Sequence, residues 1–180
     1  LSDSDNYYYV VGPDQKIIRN KCVTNNYYVS QKENIPFMYV PNEFKIQRVN
    51  EYCGTYLTPN TSKLYKFIEW FKDNEIYPFY VMGNLKEMII LKRKFPKINI
   101  TTNKEEFFKN VKYIKYFIVD DWFEFCPNFI KEAINCNCEI ELFGKSPEGC
   151  GVKYLLDNYY QLNNVEYWRD RWKEFLNNPI

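Results

Sequence analysis

From Tyr52 onward the chain alternates short apolar runs with stretches of helical period, and this alternation limits the folds open to it more than any other feature. Parallel strands cannot be joined by a tight turn. They need a crossover of about a dozen residues or more, usually a helix. Strands are predicted at Tyr52 to Leu57, Pro78 to Met82, Ile98 to Thr101, Tyr116 to Val119 and Glu139 to Phe143. Helices are predicted between and after them. One is capped by Thr61 or Ser62 and runs to about Lys72, with Leu64, Phe67, Ile68 and Phe71 on one face. A second runs from Leu85 to Phe95 and stops at Pro96, and a third starts at Asn103 with Glu106 completing a capping box. Pro127 to Asn135, Gly151 to Tyr160 and Val165 to Leu176 complete the set. The predicted fold is α/β, a Rossmann-like parallel sheet with flanking helices.

The first third lacks this rhythm. Tyr7 to Val11, Ile17-Ile18, Tyr27 to Ser30 and Phe37 to Val40 are short extended candidates, and Gly12-Pro13-Asp14 is a turn. Residues 1–50 are therefore expected to be a strand-rich segment or the remnant of a partner domain, and 51–180 the Rossmann-like domain. Asn42 to Asn50 is either a hinge or a surface loop.

Composition removes several function classes. With 46% apolar residues in 180, there is enough to build one core. The absence of histidine excludes His-based acid–base catalysis and the common triads within this chain, and most zinc sites. Cys136 and Cys138 are one residue apart, short of zinc-knuckle spacing, so the cysteines are expected to be free thiols and no metal is expected. A net charge of +1 provides no general attraction to nucleic acid, and none is expected as a partner. No run approaches the length of a membrane span and no signal peptide is visible, so the expected location is cytoplasmic.

In open α/β sheets ligands bind outside the carboxyl ends of the strands. Three groups of residues fall there. Asp120, Asp121 and Glu124 follow the predicted Tyr116 to Val119 strand, and Glu132 lies on the helix after it. Gly83 and Asn84 form a strand-to-helix turn where backbone N–H groups meet an anion. Lys86, Lys92, Arg93, Lys94 and Lys97 make the densest basic patch, on a helix expected to face Leu85, Met88 and Ile89 inward, and are read first as a solvated helix face and second as a phosphate or anionic-surface site.

The run Glu124-Phe125-Cys126-Pro127-Asn128-Phe129-Ile130-Lys131-Glu132-Ala133, its Glu-x7-Glu spacing and the small-residue turn Cys136-Asn137-Cys138 resemble the C-terminal, nucleotide-sugar-binding half of a GT-B glycosyltransferase of the family-4 type. The resemblance covers about residues 27–145. It implies that Glu132 binds the ribose and Glu124 the donor sugar, making this pair the candidate catalytic residues. It places Lys63, with Lys66 second, near the donor diphosphate, Thr101 and Thr102 near the base, and Lys145 within reach of phosphate. It implies a nucleotide-sugar substrate with no further cofactor, and a second domain or subunit for the acceptor. A chain that opens on Leu1 is then expected to be a fragment, one half of a split enzyme, or a reduced relative. Two features depart from the family. Thr55 stands where an arginine is usual, and the Gly144 to Gly151 stretch matches loosely. The alternatives are a non-catalytic Rossmann-like module and a metal-dependent sugar transferase using Asp120 and Asp121.

Overall fold

The computed structural model describes residues 9–10, 22–24, 27, 30–31, 34–57, 61–119, 127–145 and 151–177. The chain forms two compact units. One comprises Glu43–Phe123 with Lys131–Ser146, and the other Leu1–Asn42 with Glu124–Ile130 and Pro147–Ile180.

The first unit holds a five-stranded, fully parallel sheet. Its strands are β3 (Tyr52–Leu57), β4 (Phe79–Gly83), β5 (Asn99–Thr101), β6 (Val111–Phe117) and β7 (Glu139–Phe143), in the order β5-β4-β3-β6-β7. The helices α1 (Thr61–Asp73), α2 (Leu85–Lys94), α3 (Lys104–Asn110) and α4 (Asn128–Asn135) connect them. The predicted fold class is the observed one. The strand order reverses beside β3: the chain steps outward through β4 to β5, then crosses to β6 on the other side. Right-handed crossovers then put α1 and α2 on one face and α3 and α4 on the other.

One side of the core is aromatic. Leu57, Phe79, Val81 and Phe117 of the sheet meet Leu64, Phe67, Ile68 and Phe71 of α1 and Met88 and Leu91 of α2. Trp70, Cys53 and Phe143 pack against the edge of this cluster. On the opposite face Gly54 lets α3 close in, because a Cβ there would lie 3.1 Å from the Phe107 ring and 2.9 Å from the Tyr80 carbonyl oxygen.

Local signals explain the element ends. Asn84 Oδ1 accepts the Glu87 N–H at 3.1 Å and Asn103 Oδ1 the Glu106 N–H at 3.1 Å, so both helices carry side-chain N-caps. The second half of the predicted capping box differs: Glu106 Oε2 accepts instead from the Thr101 hydroxyl at 2.6 Å. The turn after α4 is a Schellman motif. Asn137 sits at φ 53°, Cys138 N–H reaches Ala133 O at 2.9 Å, and Asn137 N–H reaches Ile134 O at 2.8 Å.

The start of β6 departs from prediction. It begins at Val111, where α3 passes directly into the strand, because Val111 and Ile114 are buried although Lys112 and Lys115 break the apolar run. Lys112 pairs with Glu51 at 3.2 Å and Glu139 at 3.8 Å, and Lys115 with Glu141, so opposite charges across strands offset the polarity. Residues 43–50 are a pinned strap. Val49 and Asn50 donate to Lys109 O, and the Arg48 guanidinium donates to Val111 O at 3.1 Å, to Cys136 O, and to Cys138 Sγ at 3.2 Å.

The second unit holds a parallel pair of short strands, β1 (Tyr9–Val10) and β2 (Cys22–Val23), with α5 (Gly151–Leu162) and α6 (Val165–Asn177). Tyr27 and Ser30, predicted extended, are helical. Tyr27 stacks on Tyr154 at 4.2 Å, a tertiary contact that outweighs its β preference. Trp168 is buried and donates to Leu162 O at 2.6 Å, and Trp172 donates to Tyr39 O at 3.1 Å.

Candidate functional site

The strand order reverses beside β3, and in sheets of this kind ligands bind outside the carboxyl ends of the strands at such a switch point, here those of β3 and β6. Residues 58–60 and 120–126, which leave these two ends, lie outside the described residues, and with them Asp120, Asp121 and Glu124.

Lys63 lies in the first turn of α1, beside the end of β3. It is fully buried, an uncommon state for a lysine. Its Nζ is 3.4 Å from the Tyr116 hydroxyl and 4.4 Å from the centre of that ring. Lys66, one turn on, donates to Ile118 O at 3.1 Å just past the end of β6. Two lysines of α1 therefore stand beside the carboxyl ends of β3 and β6. Thr55 is buried inside β3, and its hydroxyl donates to Lys115 O at 2.6 Å.

Glu132 is buried on α4, its side chain 9% exposed, and Oε1 lies 2.7 Å from Lys104 Nζ. Lys104 opens α3, on the sheet face opposite α1 and α2. Lys104 Nζ also stands 4.8 Å over the Phe44 ring. Lys104 escaped the sequence reading, although one clue exists: a lysine as the first residue of a helix opposes the helix dipole, which marks it as held there by something else.

The other predicted residues spread along the same edge. Gly83 ends β4, and a Cβ there would strike Leu57 O at 2.6 Å, so close packing already requires the glycine. Asn84 is engaged as the cap of α2. Thr101 ends β5 and is buried, with its hydroxyl bonded to Glu106 and accepting from Asn103 N–H at 3.0 Å. A base would therefore meet its backbone or the exposed Thr102 more readily than this hydroxyl. Lys145 is exposed beyond β7. Thr101 and Lys145 belong to opposite edge strands, about 19 Å apart by four strand spacings. Lys63, in the first turn of the helix that follows β3, lies nearer the switch point.

None of Cys53, Cys136 and Cys138 is primed for nucleophilic attack. Burial raises Cys53 and Cys136 above the ordinary thiol range and pushes Cys138 up to about 11, despite the Arg48 guanidinium beside it. Among the described residues no cluster of His, Cys, Asp or Glu could hold a metal ion. No described helix is long and apolar enough to cross a membrane.

The parallel sheet and its helices are consistent with one half of a GT-B-type enzyme, and more broadly with a nucleotide- or ligand-binding Rossmann-like module. Comparison with models of known families, with curated proteins and with solved structures finds no match for this chain.

Proposed function

We propose that this chain binds a nucleotide-activated sugar at the carboxyl edge of its sheet and serves as the donor half of a glycosyltransferase. The observation that carries this reading is the reversal of strand order beside β3 in a fully parallel sheet, with Lys63 and Lys66 on the helix that follows β3; the buried Glu132 carboxylate, held by Lys104, lies on the opposite face of the sheet. A fixed carboxylate accepts hydrogen bonds from two vicinal hydroxyls, as a ribose offers. Lys63, Lys66 and the N–H groups at the start of α1 suit a diphosphate. In transfer, the bond from the anomeric carbon to the diphosphate oxygen breaks, the acceptor oxygen forms the new bond to that carbon, and the acceptor's proton passes to the departing diphosphate. The cations at α1 stabilise the departing charge. Glu124 takes the donor-sugar role in this reading, and the acceptor comes from a second domain or subunit.

The test is a thermal-shift screen of the full chain against UDP-, GDP-, ADP- and CDP-sugars, with and without Mn²⁺, repeated on Glu132→Ala and followed by measurement of nucleoside diphosphate release. A rise with one donor that vanishes in Glu132→Ala is expected. A rise that needs Mn²⁺ would transfer the role to Asp120 and Asp121. No rise with any donor, in folded protein, would overturn donor binding.

One observation favours a second reading, a non-catalytic nucleotide-binding module. Thr55 is locked inside β3 in place of the second strong cation of the family pattern. Donor binding without nucleotide release, in the presence of simple acceptor sugars, is the result that reading expects.

A further inference from the structure

The helix α2 carries a face that neither the core nor the proposed donor site uses. Its buried side is Glu87, Met88 and Leu91. Its outer side exposes three large apolar side chains, Leu85 at 65%, Ile89 at 45% and Ile90 at 52%, so of the three residues expected inward only Met88 is. At 100° per residue these three share an arc with Lys86, Arg93 and Lys94, with Lys92 at its margin. Lys86, Lys92, Arg93, Lys94 and Lys97 are all exposed. Residues 85–97 hold these five cations against one acid, Glu87, which points inward and is buried. Lys92 Nζ donates to Ile98 O at 2.7 Å, so part of its donor capacity is turned back to the protein while its charge remains.

A solvated helix face accounts for the cations but not for three exposed aliphatic side chains between them. Nucleic acid would attract the cations but has little use for Leu85 and Ile89 beside them. Apolar and basic groups interleaved on one exposed face match a surface of anionic lipid, where the side chains enter the headgroup boundary and the cations meet lipid phosphates and carboxylates. We propose that the outer face of α2, with Lys97, docks this chain on an anionic membrane surface without crossing it. The proposal stands on this face alone and is independent of the donor-site reading.

Sedimentation of the full chain with vesicles tests it. Phosphatidylcholine vesicles containing phosphatidylserine should carry the protein down at low salt, and pure phosphatidylcholine vesicles should not. Raising the salt should release the protein. The triple variant Lys86→Gln, Arg93→Gln, Lys94→Gln should lose binding, and Leu85→Ser with Ile89→Ser should weaken it about tenfold. All five positions are exposed, and circular dichroism verifies that both variants are folded. The proposal falls if the wild type ignores anionic vesicles, or if the double serine variant binds as tightly as the wild type. It falls equally if duplex DNA or RNA displaces the protein from vesicles at equal phosphate, because the face would then be a nucleic-acid surface.

Discussion

Glu132 and Glu87 are both buried carboxylates, and their surroundings treat them oppositely. Glu132 has a cation at 2.7 Å. Glu87 Oε2 is buried with no hydrogen-bond partner, and desolvation raises its carboxyl above the ordinary range even though it sits in the first turn of α2. Removing the Lys104 charge by Lys104→Met should cost about 1 kcal/mol, the low end for a buried group losing a charged partner, because Lys104 is itself half exposed. On the proposed function it should also weaken donor binding. Denaturant melts and donor titrations of this variant measure the two effects separately. For Glu87 the sign runs the other way. Its folded-state pKa lies above the unfolded value, near 4.5, so the folded protein prefers the protonated form. Stability from this group is full below that value and is lost as pH rises through the raised one. Glu87→Gln should therefore raise Tm at pH 7, and the gain should shrink toward zero as pH falls below about 4.5. A gain independent of pH would contradict this account.

At the scale of elements, two glycines set how closely strands and helices approach. A Cβ at Gly83 would meet Leu57 O at 2.6 Å and Met88 Cε at 2.8 Å. Met88 can bend away, but a backbone oxygen inside a strand pair cannot. Gly83→Ala should destabilise the sheet unit by about 1–3 kcal/mol, read from chemical denaturation. The same substitution also bears on function: a donor-induced thermal shift of normal size in folded Gly83→Ala would leave the glycine with packing alone. Elements were the most readable level of the sequence. β3, β7 and α2 lie within a residue of expectation because apolar period, Asn caps and Pro96 are all local signals. β6 was misplaced at its start because Lys112 and Lys115 sit among its buried residues, and only their cross-strand glutamates make the run a strand. Of the candidate site, the residue types at strand ends could be named in advance. Their partners could not: Lys104 lies 28 residues from Glu132 and Tyr116 53 residues from Lys63.

Across the whole molecule, the sheet unit has a centre and two edges. β3 is paired on both sides and covered by aromatic packing, whereas β5 and β7 each have one neighbour among the described residues. Amide hydrogen exchange should be slowest in β3, next in β4 and β6, and fastest in β5 and β7. Protection of β7 equal to that of β3 would mean that the β7 edge is covered by something further. At this scale the sequence by itself determined the alternation of strands and helices, the parallel sheet that follows from it, and the exclusion of histidine chemistry. Each is a matter of composition or of period within about a dozen residues. Tertiary structure alone decided the strand order β5-β4-β3-β6-β7, the pinning of residues 43–50 by Arg48, the burial of Lys63 against Tyr116 and the pairing of Glu132 with Lys104. These depend on which distant segments share one core, and a local window of sequence carries no record of that.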